Sequence, residues 1–170
     1  MTTLVRLYHP TDFAGRLICW RLESQFSHAT IEINGTIYSA TAPRIVAVGP
    51  RDPTFGMPPR EGRTFELRLT PEQEAKAEAY CKSMVGSGYD ILAMLGWAFR
   101  IRALQDRHRV YCFELVYDAL AAAGAFLCSK RLVTGDQLLV DLFESGLVSS
   151  VPIECRYEAM SQKAPVLIRR

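Results

Sequence analysis

The stretch that decides the fold is SHATIEINGTIYSAT, residues 27–41. Asn34-Gly35 is a strong signal for a two-residue hairpin, because a type I′ turn needs left-handed backbone at both central positions. With that turn, Ile33 pairs with Thr36, Glu32 with Ile37, Ile31 with Tyr38, Thr30 with Ser39 and His28 with Thr41. Side chains alternate across a strand, so Ala29, Ile31, Ile33, Tyr38 and Ala40 share an apolar face. His28, Thr30, Glu32, Ser39 and Thr41 share the other, which is polar. One face belongs to a core, and the other places an imidazole among hydroxyls that can orient its ring.

Working outward, residues 3–8 alternate as a strand, and Gly15 to Leu22 suits a short helix leading into the hairpin. Residues 43–63 hold five of the nine prolines and read as a meander, with a short strand at Ile45 to Val48. Phe65 to Leu69 alternates again. Thr70-Pro71-Glu72-Gln73 then starts a helix: threonine caps, proline takes the first helical position, and glutamine completes a capping box. That helix runs to about Val85 and stops at Gly86-Ser87-Gly88. A second covers Asp90 to about Arg100 and a third Val110 to about Ala123. A fourth opens with another box at Thr134-Gly135-Asp136-Gln137, and Val166 to Ile168 suits a returning strand. Strands early and helices late predict a single α+β domain over residues 1–170, with an antiparallel sheet.

Composition narrows the function. Twenty basic against eighteen acidic residues give a net charge of +2, which supplies no field for nucleic acid. The five cysteines, at 19, 81, 112, 128 and 155, cannot all pair and show no CxxC, so a reduced protein without a zinc knuckle is expected. The start, MTTLVRLYHPTDF, lacks the apolar core and cleavage site of a signal peptide, and Ala119 to Cys128 is too short to span a bilayer. A cytoplasmic protein is expected. Action beyond the producing cell would need delivery by a phage or a secretion system.

Chemistry concentrates at Cys112. In VYCFELV, residues 110–116, the cysteine falls in the first turn of a helix, where unpaired amides and the helix dipole favour a thiolate. An imidazole nearby would lower its pKa further and act as general base, and the same amides could hold an oxyanion. The plainer alternatives are a buried structural thiol for Cys112 and a satisfied structural histidine for His28. Cys19, Cys81, Cys128 and Cys155 have no such context. His9 precedes a proline and reads as a turn residue, and His108 sits in the basic run 100–109, a solvated face or an anion patch. His28, Cys112 and Glu32 could in principle offer three metal ligands, but no ligand spacing accompanies them, so no metal or cofactor is expected.

Phe26-Ser27-His28, Asn34-Gly35 and Tyr38-Ser39-Ala40, followed by Gly88-Tyr89-Asp90-Ile91-Leu92 and Val110-Tyr111-Cys112-Phe113-Glu114-Leu115-Val116, resemble the permuted NlpC/P60 group of papain-like cysteine hydrolases. Its bacterial and phage members of the YiiX/YaeF type are the nearest look-alikes, over roughly residues 3 to 140. The resemblance implies a circularly permuted papain-like fold, with an antiparallel sheet packed against the helix that carries the cysteine. It also implies Cys112 as nucleophile, His28 as base, and a third polar residue that falls at Ser39. Glu32 and Thr41 share that face as substitutes. Phe113 stands where relatives have serine. Tyr89 matches a tyrosine that lines the pocket, so Tyr89, Thr30, Glu32 and Thr41 are the expected substrate contacts.

The implied reaction is hydrolysis of an amide, notably in a peptidoglycan stem peptide; lipid acyl transfer and thioester cleavage use the same constellation. An immunity protein or a phage component would be the partner in that setting. A non-catalytic binding or virion module is the alternative from a different class. On the hydrolase reading, Cys112→Ala should abolish both muropeptide cleavage and iodoacetamide labelling near neutral pH.

Overall fold

The hairpin forms with the register its turn dictates. A computed structural model describes residues 3–49, 61–90, 109–128, 132–149 and 153–156. In it Asn34 and Gly35 both take positive φ, 52° and 75°, and the pairs run from Thr30↔Ser39 to Ile33↔Thr36. β1 (Thr3–Tyr8) pairs antiparallel with β2 (His28–Ile33), and β2 with β3 (Thr36–Ala40). β4 (Ile45–Val48) extends β3, while β5 (Glu61–Leu67) and β6 (Ile153–Arg156) extend the other side of β1. The sheet therefore has six strands in the order β4-β3-β2-β1-β5-β6, antiparallel throughout.

Four helices accompany it among the described residues: α1 (Phe13–Leu22), α2 (Pro71–Met84), α3 (Cys112–Ala122) and α4 (Gly135–Glu144). Thr70 and Gln73 close a reciprocal capping box at the start of α2. Asp12 caps α1 by accepting from the Gly15 amide. α2 packs on α3, and α3 lies on β2 and β3. Val5, Leu7, Ala29, Ile31, Ile33, Tyr38 and Phe65 from the sheet meet Cys81 of α2 and Leu115, Val116 and Leu120 of α3 in one core. The chain is α+β, with its antiparallel sheet packed against the helix that carries Cys112.

Several boundaries differ from the sequence reading. The strand expected at Phe65 to Leu69 begins at Glu61 and ends at Leu67, because six consecutive residues of β1 pair with it, from Thr3↔Leu67 to Tyr8↔Gly62. At Thr134 only half of the expected box forms. The threonine accepts from the Gln137 amide, but the Gln137 side chain reaches forward to Asp141 Oδ1 at 2.8 Å. The helix expected from Asp90 to Arg100 and the strand at Val166 to Ile168 lie outside the described residues, except that Asp90 itself is not helical.

Gly62 is the position the sequence concealed, since glycine reads as a loop residue. A Cβ there would collide with the Leu7 carbonyl oxygen. Gly62→Ala should therefore destabilise the protein by about 1–3 kcal/mol through overpacking. Ile31→Ala, which empties a fully buried site, should cost roughly 2–5 kcal/mol. Urea unfolding of both variants measures this, and a Gly62→Ala midpoint equal to wild type would contradict the close approach of β5 to β1.

Candidate active site

Cys112 is the first residue of α3, with Tyr111 as an N-cap that makes no side-chain hydrogen bond. The opening amides of the helix are thus left to other acceptors, and the amides of Cys112 and Phe113 bond to the Cys112 sulfur. A further amide comes from the sheet. The β2–β3 ladder ends at Thr30↔Ser39, and the next amide along β2, that of Ala29, also bonds to the sulfur. The Tyr89 hydroxyl supplies a side-chain hydrogen bond to the same atom. Tyr89 is held there by a bridge to Val110, by its amide on the Pro43 carbonyl, and by the Asp90 amide on the Val110 carbonyl.

These contacts favour a thiolate, yet burial outweighs them. Cys112 is 3% exposed, and burial pushes its thiol up to about 11 against the amides of Ala29, Phe113 and Cys112 and the Tyr89 hydroxyl. This corrects the expectation of a thiol depressed by its helix start: an amide N–H stabilises the anion locally, whereas loss of water penalises it from every side. Burial likewise raises the Tyr89 phenol well above its ordinary value, with Cys112 and Asp90 adding to the effect.

His28 opens β2 and is buried. Its Nε2 lies 3.0 Å from Ser39 Oγ, a diagonal contact across the hairpin. β1 pairs Tyr8 with His28, and the two rings stand 6.0 Å apart. The Tyr8 hydroxyl lies 3.4 Å from Thr30 Oγ1. Alternation puts Tyr8, His28, Thr30 and Ser39 on the face of the sheet opposite Ala29, Ile31 and Tyr38, the side chains that join the core with α3. The imidazole and the thiol thus approach the end of β2 separately. Ser39 holds the ring, and the amide of Ala29, the chain neighbour of His28, holds the sulfur.

The expected substrate contacts separate. Tyr89 sits on the sulfur. Thr30 has no exposed surface, while Glu32 and Thr41 on the same face are half-buried. Glu32 is paired with Arg6 across β1. Thr41 Oγ1 lies 3.5 Å from the Arg44 carbonyl and is half-buried. His28, Cys112 and Glu32 form no metal trio, and no such cluster of three occurs among the described residues. Sequence reasoning missed Tyr8 and the Ala29 amide. The alternation of residues 3–8 carried the signal for Tyr8 once β1 is laid against β2; an unpaired amide leaves no trace in residue identity.

No family model matches the chain, and no curated protein matches it. Among solved structures it is similar to the crystal structure of the metalloprotein YiiX from Escherichia coli O157:H7, DUF1105, at 13% identity and a TM-score of 0.49. That alignment covers 95% of this chain and 92% of the other.

The buried thiol reverses the expected labelling order. At pH 7 a group with a pKa near 11 is ionised on the order of one part in ten thousand. Iodoacetamide should modify exposed Cys128 first and Cys112 slowly, with the Cys112 rate climbing as pH rises toward about 11. Cys112→Ala should leave the fast labelling unchanged. Mass spectrometry of peptides from a pH series reads this directly; rapid, pH-independent modification of Cys112 would show a thiolate already formed.

Proposed function

We propose that the chain is a thiol hydrolase of permuted papain-like type, with Cys112 as nucleophile, His28 as base and Ser39 orienting the ring. The observation that carries this reading is the meeting point at the start of β2. A helix-start sulfur is bonded by the amide of Ala29, and Ala29 is the chain neighbour of a histidine whose Nε2 is held by a hydroxyl. Holding Nε2 sets the ring plane, which is what a base facing a thiol through its other nitrogen requires. The order of the site, histidine on a strand and then cysteine on a later helix, agrees with the permuted arrangement.

The neutral thiol dictates the order of events. Cys112 Sγ attacks the acyl carbonyl as His28 removes the thiol proton, because the buried sulfur holds too little thiolate to react beforehand. Once sulfur is bonded to carbon, the amides of Cys112, Phe113 and Ala29 no longer face an incipient thiolate and can serve the oxyanion. The amine leaves with the proton from His28, giving a thioester. Water, deprotonated by His28, then releases the carboxylate and restores the thiol. The substrate proposed is an amide in a peptidoglycan stem peptide, with lipid or thioester acyl groups as the alternative acyl donors.

A second reading has its own support. A sulfur that is 3% exposed and bonded on several sides is also what a structural thiol in a non-catalytic binding module would be. Incubation of the full chain with peptidoglycan fragments and with acyl thioesters, products read by mass spectrometry, separates the two. The hydrolase reading expects turnover that Cys112→Ala and His28→Ala abolish and that Ser39→Ala reduces about 10–100-fold through kcat, as loss of a ring orienter would. Turnover unchanged in Cys112→Ala would remove Cys112 as the nucleophile, and no turnover on either substrate class would leave the binding module.

A further inference from the structure

Three short segments run side by side next to the thiol. Arg44, just before β4, faces Gly88 across an antiparallel bridge, and the following residue, Tyr89, bridges in parallel to Val110. The Ile45 amide donates to the Ser87 carbonyl at 2.9 Å and the Tyr89 amide to the Pro43 carbonyl at 3.0 Å. Bonds between these flanking residues make Arg44 and Gly88 a non-hydrogen-bonded pair, the closer kind, with Cα atoms about 4.5 Å apart. Residues paired in this way direct their side chains to one face. Arg109 comes in from the other side of Gly88. Its Nε lies 3.4 Å, and its Cδ and Cζ 3.6 Å, from where a Cβ of Gly88 would stand, so its side chain passes over the glycine on that same face.

Arg44 and Arg109 are both exposed, one on each side of a residue that has no side chain. Gly88 does not take positive φ, so what it supplies is space. Residues 41–48, 86–90 and 109–111 carry one other charge, Asp90, which is fully buried. The exposed charge of the row is therefore that of two guanidiniums. The ion pairs among the described residues belong to Arg6, Lys76 and Lys82, and none of them holds Arg44. Arg109 also ends the run 100–109, in which four arginines stand against one aspartate.

We propose that Arg44, Gly88 and Arg109 form a binding site for a phosphate monoester, which the two guanidiniums grip over the glycine. One guanidinium already satisfies the two oxygens of a carboxylate in a bidentate pair. A phosphate monoester spreads roughly −2 of charge over three terminal oxygens, which matches two cations. Each guanidinium has several N–H donors, so a bond to a neighbouring residue leaves others for the anion. A nucleic acid fits less well, since its phosphates repeat along a strand while the whole chain carries a net charge of only +2. The site goes beyond the thiol chemistry proposed above. Gly88 and Tyr89 are consecutive in bridged, extended backbone, so their side-chain positions fall on opposite faces. Tyr89 turns to the Cys112 sulfur, and the arginines lie on the other side of the same segment.

The test is isothermal titration of the full chain with glycerol 3-phosphate at fixed pH and ionic strength, with acetate for comparison. Wild type should bind glycerol 3-phosphate saturably at a single site, and acetate at least about tenfold more weakly. Arg44→Gln and Arg109→Gln should each weaken phosphate binding about tenfold or more, through loss of charge-assisted hydrogen bonds. Gly88→Glu, which sets a carboxylate between the guanidiniums, should abolish it. Arg16→Gln removes an exposed arginine on α1 and should bind as wild type does. Because Arg44 and Arg109 are exposed, both glutamine variants should keep the wild-type Tm. Cys112→Ala should also bind normally, so failure of the thiol reading and failure of this site are read independently. Co-sedimentation with phosphatidylcholine vesicles carrying phosphatidic acid identifies the source of the phosphate. Vesicle binding that Arg44→Gln removes assigns it to a lipid headgroup, and binding of glycerol 3-phosphate without vesicle binding assigns it to a soluble ester. Absence of wild-type binding in both arms overturns the proposal. So does equal affinity for acetate, or wild-type affinity in both Arg44→Gln and Arg109→Gln.

Discussion

The Asn34-Gly35 turn is the constraint on which the site depends. Two consecutive residues at positive φ fix the hairpin register, and register fixes which side chains share a face. A slip of one residue would send Ser39 into the core and put Tyr38 beside His28. With the turn as it stands, Tyr38 and Ile31 enter the core, and the Ser39 hydroxyl comes to 3.0 Å from His28 Nε2. β1 inherits the same discipline. Tyr8 falls opposite His28 and Arg6 opposite Thr30, so the polar face continues across a third strand. The Arg6 and Tyr8 side chains then occupy the two polar groups, Glu32 and Thr30, that would otherwise be buried without partners.

Around the sulfur two effects compete, and magnitude decides. Several hydrogen bonds to Cys112 favour the anion, while complete removal of solvent disfavours it and wins, raising the thiol from 9.0 to about 11. One unit of pKa corresponds to about 1.4 kcal/mol, so the net bias toward the neutral thiol is only a few kcal/mol. The resting protein holds its sulfur protonated, and the donors that face it are fixed by a helix start and a strand end.

What was legible in the sequence follows from how local each signal is. The turn, the alternation of residues 28–33 and 36–40, and the Thr70-Pro71-Gln73 start of α2 are each encoded within a few residues, and the structure forms them as read. Gln137 shows the limit. Its identity and position complete a capping box on paper, yet Asp141 one turn further offers a competing acceptor for the side chain. The displaced start of β5 has a different cause, since Gly62 enters the strand through pairing with β1, a contact far away in the sequence. In the site, His28, Ser39, Tyr89 and Cys112 could be singled out by residue type. Whether the thiol was exposed or buried could not, because its burial is set by the packing of several elements around it. The full burial of Thr30 and the Arg6 pair of Glu32 were hidden for the same reason, as the composition of a face does not say what packs against it.

Phe113 shows how packing can stand where a polar contact might be expected. Serine at this position would offer a hydroxyl to a local hydrogen-bond network; phenylalanine offers none. Its ring instead meets Tyr111 edge-on at 6.4 Å and lies against Gly135, where a Cβ would come within 3.1 Å of the ring and 2.8 Å of the Phe26 side chain. Gly135 is the first residue of α4, and Phe26 leads into His28. One aromatic side chain therefore connects the helix that carries the thiol, the helix that follows it, and the segment that delivers the imidazole. The Tyr111 hydroxyl adds a 2.8 Å bond to the Val133 carbonyl, and Glu114 Oε1 accepts from the Leu132 amide at 3.3 Å, which fixes the approach to α4 from the same turn of α3. Removing the ring would open a cavity between the start of α3, the start of α4 and the segment before His28, so the packing of all of these depends on one apolar side chain.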